Sequence, residues 1–104
     1  MDIEIASYST IAMIGNLKIL QEKLKLDRKT INDVKDIIDS DESLLMKSIA
    51  YGRFDIAKYL LENGAKVNII SKNGNNELHC LSYHLKEVGA LEIGYMLLKR
   101  GVDL

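Results

Sequence analysis

Residues Gly52 to Asn68 read GRFDIAKYLLENGAKVN, and this stretch states one structural unit in full. A glycine opens it, where a turn can take a positive φ without a Cβ penalty. Ile56, Ala57, Leu60 and Leu61 then fall at helical spacing and share one face. Asn63-Gly64 ends the helix, with glycine in the place that favours a left-handed cap. Beyond it, apolar Ala65 and Val67 alternate with polar Lys66 and Asn68, as a short extended segment does.

Weaker copies flank this unit. Gly89-Ala90-Leu91-Glu92-Ile93 begins one that runs on to Leu97, Leu98, Gly101, Val102 and Asp103. Gly15-Asn16-Leu17-Lys18-Ile19-Leu20 begins another, and the three glycines stand 37 residues apart. Self-similarity at such a period is the mark of a repeat architecture. The expectation is an all-α solenoid of about three helix-turn-helix repeats joined by β-hairpin-type loops. It forms a single domain over residues 1–104, with approximate repeats at 3–42, 43–75 and 76–104.

Composition narrows the function classes. With 47% hydrophobic residues in 104, the chain is neither disordered nor membrane-like. A formal charge of −1 argues against nucleic acid as a partner, because such binders are strongly basic. One cysteine excludes an internal disulfide and suits a reducing compartment. The start, Met1-Asp2-Ile3-Glu4, lacks the features of a signal peptide, and no window is apolar enough to span a bilayer. A cytoplasmic protein without membrane contact is expected.

Along the chain, residues 3–13 read as an amphipathic helix and 17–25 as its antiparallel partner. Where the central unit has Leu60-Leu61, the first has Lys23-Leu24, a polar change that suits an end repeat facing water. Residues 27–42 admit two readings. Thr30 and Asp33 fit a helix start, with Ile31, Val34 and Ile38 on one face. The β-branched residues and many aspartates fit an irregular hairpin instead. Ser43 caps a helix from Leu44 to about Tyr51, with Leu45, Ser48 and Ile49 inward. Ile69 to Asn75 reads as a hairpin, because Asn73-Gly74 suits the positive φ of a type I′ turn. Residues 77–87 read as a lengthened helix and 90–100 as the last one, which keeps Ile93, Met96, Leu97 and Leu98. An apolar outer face on a terminal repeat tends to be covered, so either the sequence is a fragment of a longer repeat array or this end is buried in an oligomer or a partner.

Helix, glycine turn, antiparallel helix, glycine and a hairpin tipped by Asn-Gly resemble the ankyrin repeat. Gly74-Asn75-Asn76-Glu77-Leu78-His79 matches the family's entry at the glycine, the leucine and the histidine. Asn76 stands for its threonine and Glu77 for its proline. Ser43-Leu44-Leu45-Met46 keeps a capping residue and the leucine. Gly64-Ala65-Lys66-Val67-Asn68 and Gly101-Val102-Asp103-Leu104 match the exit from the second helix. The spacing exceeds the usual unit of about 33 residues by about four, twice. The excesses fall in 27–42 and between Ser82 and Gly89. The chain has no proline, which removes a preset φ but no obligatory hydrogen bond.

The resemblance implies a protein-binding module rather than an enzyme, with His79 structural and no cofactor. The residues themselves offer little chemistry. The glycines are accounted for by turns, and no nucleophile stands within a catalytic motif. Cys80 and His84, four apart on the expected helix with Glu87 beyond, share a face but do not make a closed metal site. The acidic run holding Asp36, Asp39 and Asp41 is either a solvated loop or a landing site for a basic partner. Lys47, Tyr51, Tyr83 and His84 line the concave side of such a stack, and the hairpin tip, Ile70, Lys72, Asn73 and Asn75, stands at its rim. Tyr51 and Tyr83 occupy related places, as interface anchors or as packing between repeats.

Abundant lysine, isoleucine and asparagine fit an A/T-rich genome. Short ankyrin-like proteins of bacteria include immunity proteins that neutralise a cognate toxin. An immunity protein or antitoxin against a basic toxin is therefore one expected role. An effector that binds a host protein is the alternative, as is a structural subunit forming a homo-oligomer through the C-terminal helix.

Overall fold

Ser7, Asn16, Ser43 and Asn76 each start a helix, and the side-chain oxygen of each accepts a backbone N–H three residues on. Each bond satisfies one of the donors that a helix leaves free at its start. The computed structural model describes residues 7–31, 43–71 and 74–102. These residues hold helices α1 (Tyr8–Ile14), α2 (Leu17–Asp27), α3 (Leu44–Ala50), α4 (Phe54–Glu62), α5 (Glu77–Ser82) and α6 (Ala90–Lys99). Helices α1, α3 and α5 lie side by side in an inner layer, and α2, α4 and α6 back them as an outer layer. The result is the all-helical stack of helix-turn-helix pairs that the repeat predicts.

The core lies between the layers. Ile11, Leu45, Met46 and Ile49 fill it from the inner side and Leu20, Ile56, Leu60, Ile93 and Leu97 from the outer, all essentially solvent-free. The face read from the central unit, Ile56, Ala57, Leu60 and Leu61, is buried throughout. Helix α4 ends as its sequence requires. Gly64 takes φ +85, its N–H donates to the Leu61 carbonyl, and the Ala65 N–H donates to the Leu60 carbonyl at 2.9 Å. That pair of reversed bonds, with Ala65 buried behind it, is a Schellman ending, and α6 repeats it at Gly101 and Val102.

Three expectations change. The helix expected over 77–87 stops at Ser82, and residues 83–89 form consecutive tight turns. The cause is tertiary: this segment folds back on the preceding repeat, with the Glu87 and His84 side chains against Gly52. A continued helix would carry both past that contact.

Lys23 does not face water. Its position matches Leu60 of α4, a core place, and its stem is buried. The ammonium lies 3.6 Å from Asp27 Oδ2 and 5.0 Å from the centre of the Tyr8 ring. The Tyr8 hydroxyl donates to Asp27 Oδ2 at 2.6 Å. That bond, before the nearby lysines, holds the Asp27 carboxyl below its ordinary range. The end repeat therefore accommodates its polar residue by pairing it.

The expected helix over 3–13 runs from Tyr8 to Ile14, with 3–6 outside the described residues. The two readings of 27–42 also fall largely outside them, α2 itself reaching Asp27. The loop before α5 turns where the hairpin was expected. The Ser71 N–H donates to the Asn75 carbonyl and the Gly74 N–H to the Ser71 carbonyl, each at 2.9 Å. No strand forms among the described residues.

Candidate partner-binding face

A stack of short helices shows its inner layer on one side, and the residues left open there are the candidate site. Tyr51 caps the C-terminus of α3 and Tyr83 that of α5. They are 45% and 82% exposed. The first repeat contributes Met13 and Ile14 at the matching end of α1, both exposed. The sequence reading missed these two. Their signal was the spacing itself, since Ile14, Tyr51 and Val88 each precede one of the evenly spaced glycines and all three are exposed.

Lys47, one turn before Tyr51, is half-buried. On α5, His79 stands one turn before Tyr83 and is exposed. Its Nδ1 accepts the Asn76 N–H at 3.0 Å while Asn76 Oδ1 accepts the His79 N–H at 3.1 Å. This reciprocal capping box fixes the start of α5. At the other end of the inner helices, Ile70 is 59% exposed and Asn75 half-buried. Asp36, Asp39, Asp41, Lys72 and Asn73 lie outside the described residues.

His84 serves the fold. Its Nε2 donates to the Ala50 carbonyl at 2.7 Å, and its Nδ1 bonds Glu87. Both partners accept, so the ring is favoured in its doubly protonated form, and its pKa rises, first through the Ala50 carbonyl and then through Glu87. The ring also meets Phe54 edge-on, with centroids 6.1 Å apart. Cys80 is buried on α5, whereas His84 lies beyond the end of that helix. The shared helix face that would make them a ligand pair does not form. Among the described residues no group of three His, Cys, Asp or Glu stands ready for a metal.

Glu77 was read only as a substitute for proline. It is fully buried, and its two carboxylate oxygens accept the N–H groups of Asn68 and Ile69 at 3.0 and 3.1 Å. It thus ties the start of α5 to the exit loop of the repeat before. Arg100 works similarly from α6, donating to the Leu61 and Ala65 carbonyls at 2.9 and 2.7 Å. Arg53 donates to the Met13 carbonyl at 2.8 Å, across the first junction. Cations at helix C-termini satisfy the free carbonyls and complement the dipole. These ties join each repeat to the next.

A family model described as ankyrin repeats in three copies matches residues 9–104. The chain is 34% identical over 70 residues to a putative ankyrin repeat protein of fowlpox virus (strain NVSL). That match covers 67% of this chain and 13% of the relative, so the chain spans a small part of the relative's length. Among the described residues no helix is long and apolar enough to cross a membrane.

Proposed function

Because the chain belongs to the ankyrin-repeat family, whose repeats are non-enzymatic modules of protein–protein interaction, we propose that it binds a partner protein through its inner-helix face. The observation that carries this reading is the pair Tyr51 and Tyr83, exposed at the ends of adjacent inner helices. Tyrosine joins a large apolar surface to a polar tip and loses little rotamer freedom on binding. Met13 and Ile14 extend the same row on α1. Lys47 and the loop end at Ile70 and Asn75 border it.

Contacts at such a face contribute unequally, and a buried aromatic anchor is worth about 2 kcal/mol, roughly a thirty-fold change in Kd. The test is affinity capture from the native source, comparing the wild-type chain with Tyr51→Ala/Tyr83→Ala. The reading expects the double variant to lose the partner while its far-UV circular dichroism stays helical. Undiminished capture, or loss of the helical signal, contradicts it. The captured protein also separates the finer roles: a basic toxin marks an immunity protein, and a host protein marks an effector. A basic partner would in addition assign Asp36, Asp39 and Asp41 a steering role, read as an association rate that falls with salt.

A further inference from the structure

Each outer helix turns one face to the next repeat and another to the previous one. On α4 the forward face is Phe54, Lys58 and Leu61, at i, i+4 and i+7. Phe54 meets His84, Lys58 Nζ lies 2.7 Å from Glu92 Oε1, and the Leu61 carbonyl accepts from Arg100. The receiving residues on α6, Glu92 and Arg100, define its backward face. Tyr59 and Asn63 occupy the opposite, backward side of α4 and look across a cleft to α2.

The 37-residue spacing carries the forward face of α4 onto Leu91, Tyr95 and Leu98 of α6. These three are 81%, 63% and 49% exposed. Twice that spacing carries the backward face of α6, Glu92 and Arg100, onto Lys18 and Leu26 of α2. Lys18 is exposed and Leu26 is 55% exposed. Both ends of the outer layer thus repeat the positions that already form a junction inside the chain.

We propose that these ends bind each other between copies, α6 of one molecule docking on α2 of a second and continuing the stack head to tail. The substitutions at the two ends are complementary. Where the internal junction pairs Lys58 with Glu92, the junction between copies brings Tyr95 to Lys18, exchanging an ion pair for a cation over an aromatic face. Where Leu61 meets Arg100, Leu98 meets Leu26, two apolar side chains that otherwise stay in water. Such a contact is heterologous and does not close on itself, so copies add in an open series. It uses the outer layer and stands independently of the inner-face reading.

The test is sedimentation and light scattering of the whole chain over a wide concentration range, with Leu98→Glu and Leu26→Glu as variants. The wild type is expected to rise from 11.7 kDa past twice that mass as concentration increases. Each variant alone is expected to remain a monomer. Mixed together they form a one-to-one pair and nothing larger, because each retains the face the other lacks. A wild type that stays monomeric at every concentration overturns the proposal. So does a Leu26→Glu variant that still dimerises by itself, the mark of a twofold contact between α6 helices. Tyr95→Lys, which sets like charges against Lys18, provides a second disruption should either glutamate variant lose its helical signal.

Discussion

Among the described residues, Glu77 is the charged side chain with no solvent exposure. A carboxylate with no solvent exposure is tolerable only with its oxygens bonded, and here both accept backbone N–H groups of the preceding loop. Its place in the first turn of α5 adds the favourable end of the helix dipole. Removing the side chain takes away the acceptor shared by the Asn68 and Ile69 N–H groups and opens a cavity where the carboxylate sat. Glu77→Ala is therefore expected to cost about 2–4 kcal/mol, read as a lower urea midpoint at unchanged m-value. Glu77→Gln keeps one acceptor oxygen and should lose less. An alanine variant as stable as wild type would show that the loop does not depend on this carboxylate. Nothing in the residue's type announced the role, because a glutamate at a helix start is ordinarily read as dipole chemistry on the surface.

The turn at 83–89 is the element that periodicity described least well. Leu78, Leu81 and Leu85 continue a helical spacing, and sequence alone extends the helix over 77–87 through them. The structure ends the helix at Ser82 and uses the extra residues to return His84 and Glu87 to the second repeat. Tertiary contact overrode local pattern there. By contrast, α4, the capped start of α3 and the glycine endings followed from residue types alone, because caps and burial faces are local chemistry. Lys23 was misread for a related reason: its charge spoke for water while its register spoke for the core, and register won because Asp27 and Tyr8 were within reach. On the inner helices, the place of Tyr51 at the end of α3 was legible in the sequence, which left anchor and packing open for it. His84 was not, since its partners are a backbone carbonyl of a different repeat and a glutamate in the turn.

This turn carries a pH dependence with a definite sign. The folded pKa of His84 is raised above the ordinary 6.5 by the Ala50 carbonyl and by Glu87. Its contribution to stability is fully present below the unfolded value and is lost as pH rises through the folded one. The urea midpoint should fall as pH rises above 6.5, and His84→Gln should flatten the profile over that window. Equal slopes in the two proteins would contradict the assignment. Asp27 acts in the opposite direction and lower down, its contribution fading as pH falls below 3.8. The two effects do not overlap.

At the scale of the molecule, the stack is a series of junctions, and each repeat is stable only through its neighbours. The second junction is tied by Glu77, His84 and Arg100 and by the pair Lys58–Glu92. The first has Arg53 on the inner side, and its outer side opens as the cleft between α2 and α4. The inner helices of both junctions are nonetheless held in line, so their C-terminal ends form one preorganised row. Preorganisation lowers the entropy cost of binding, which is what a rigid scaffold contributes to an interface. In the proposed function, partner binding uses this row rather than the outer layer. Hydrogen–deuterium exchange of the chain, alone and with its captured partner, tests it most directly. The account predicts new protection at the C-terminal ends of α1, α3 and α5, around Ile14, Tyr51 and Tyr83, with the exposed faces of α2 and α4 unchanged. Protection confined to the outer helices would contradict it.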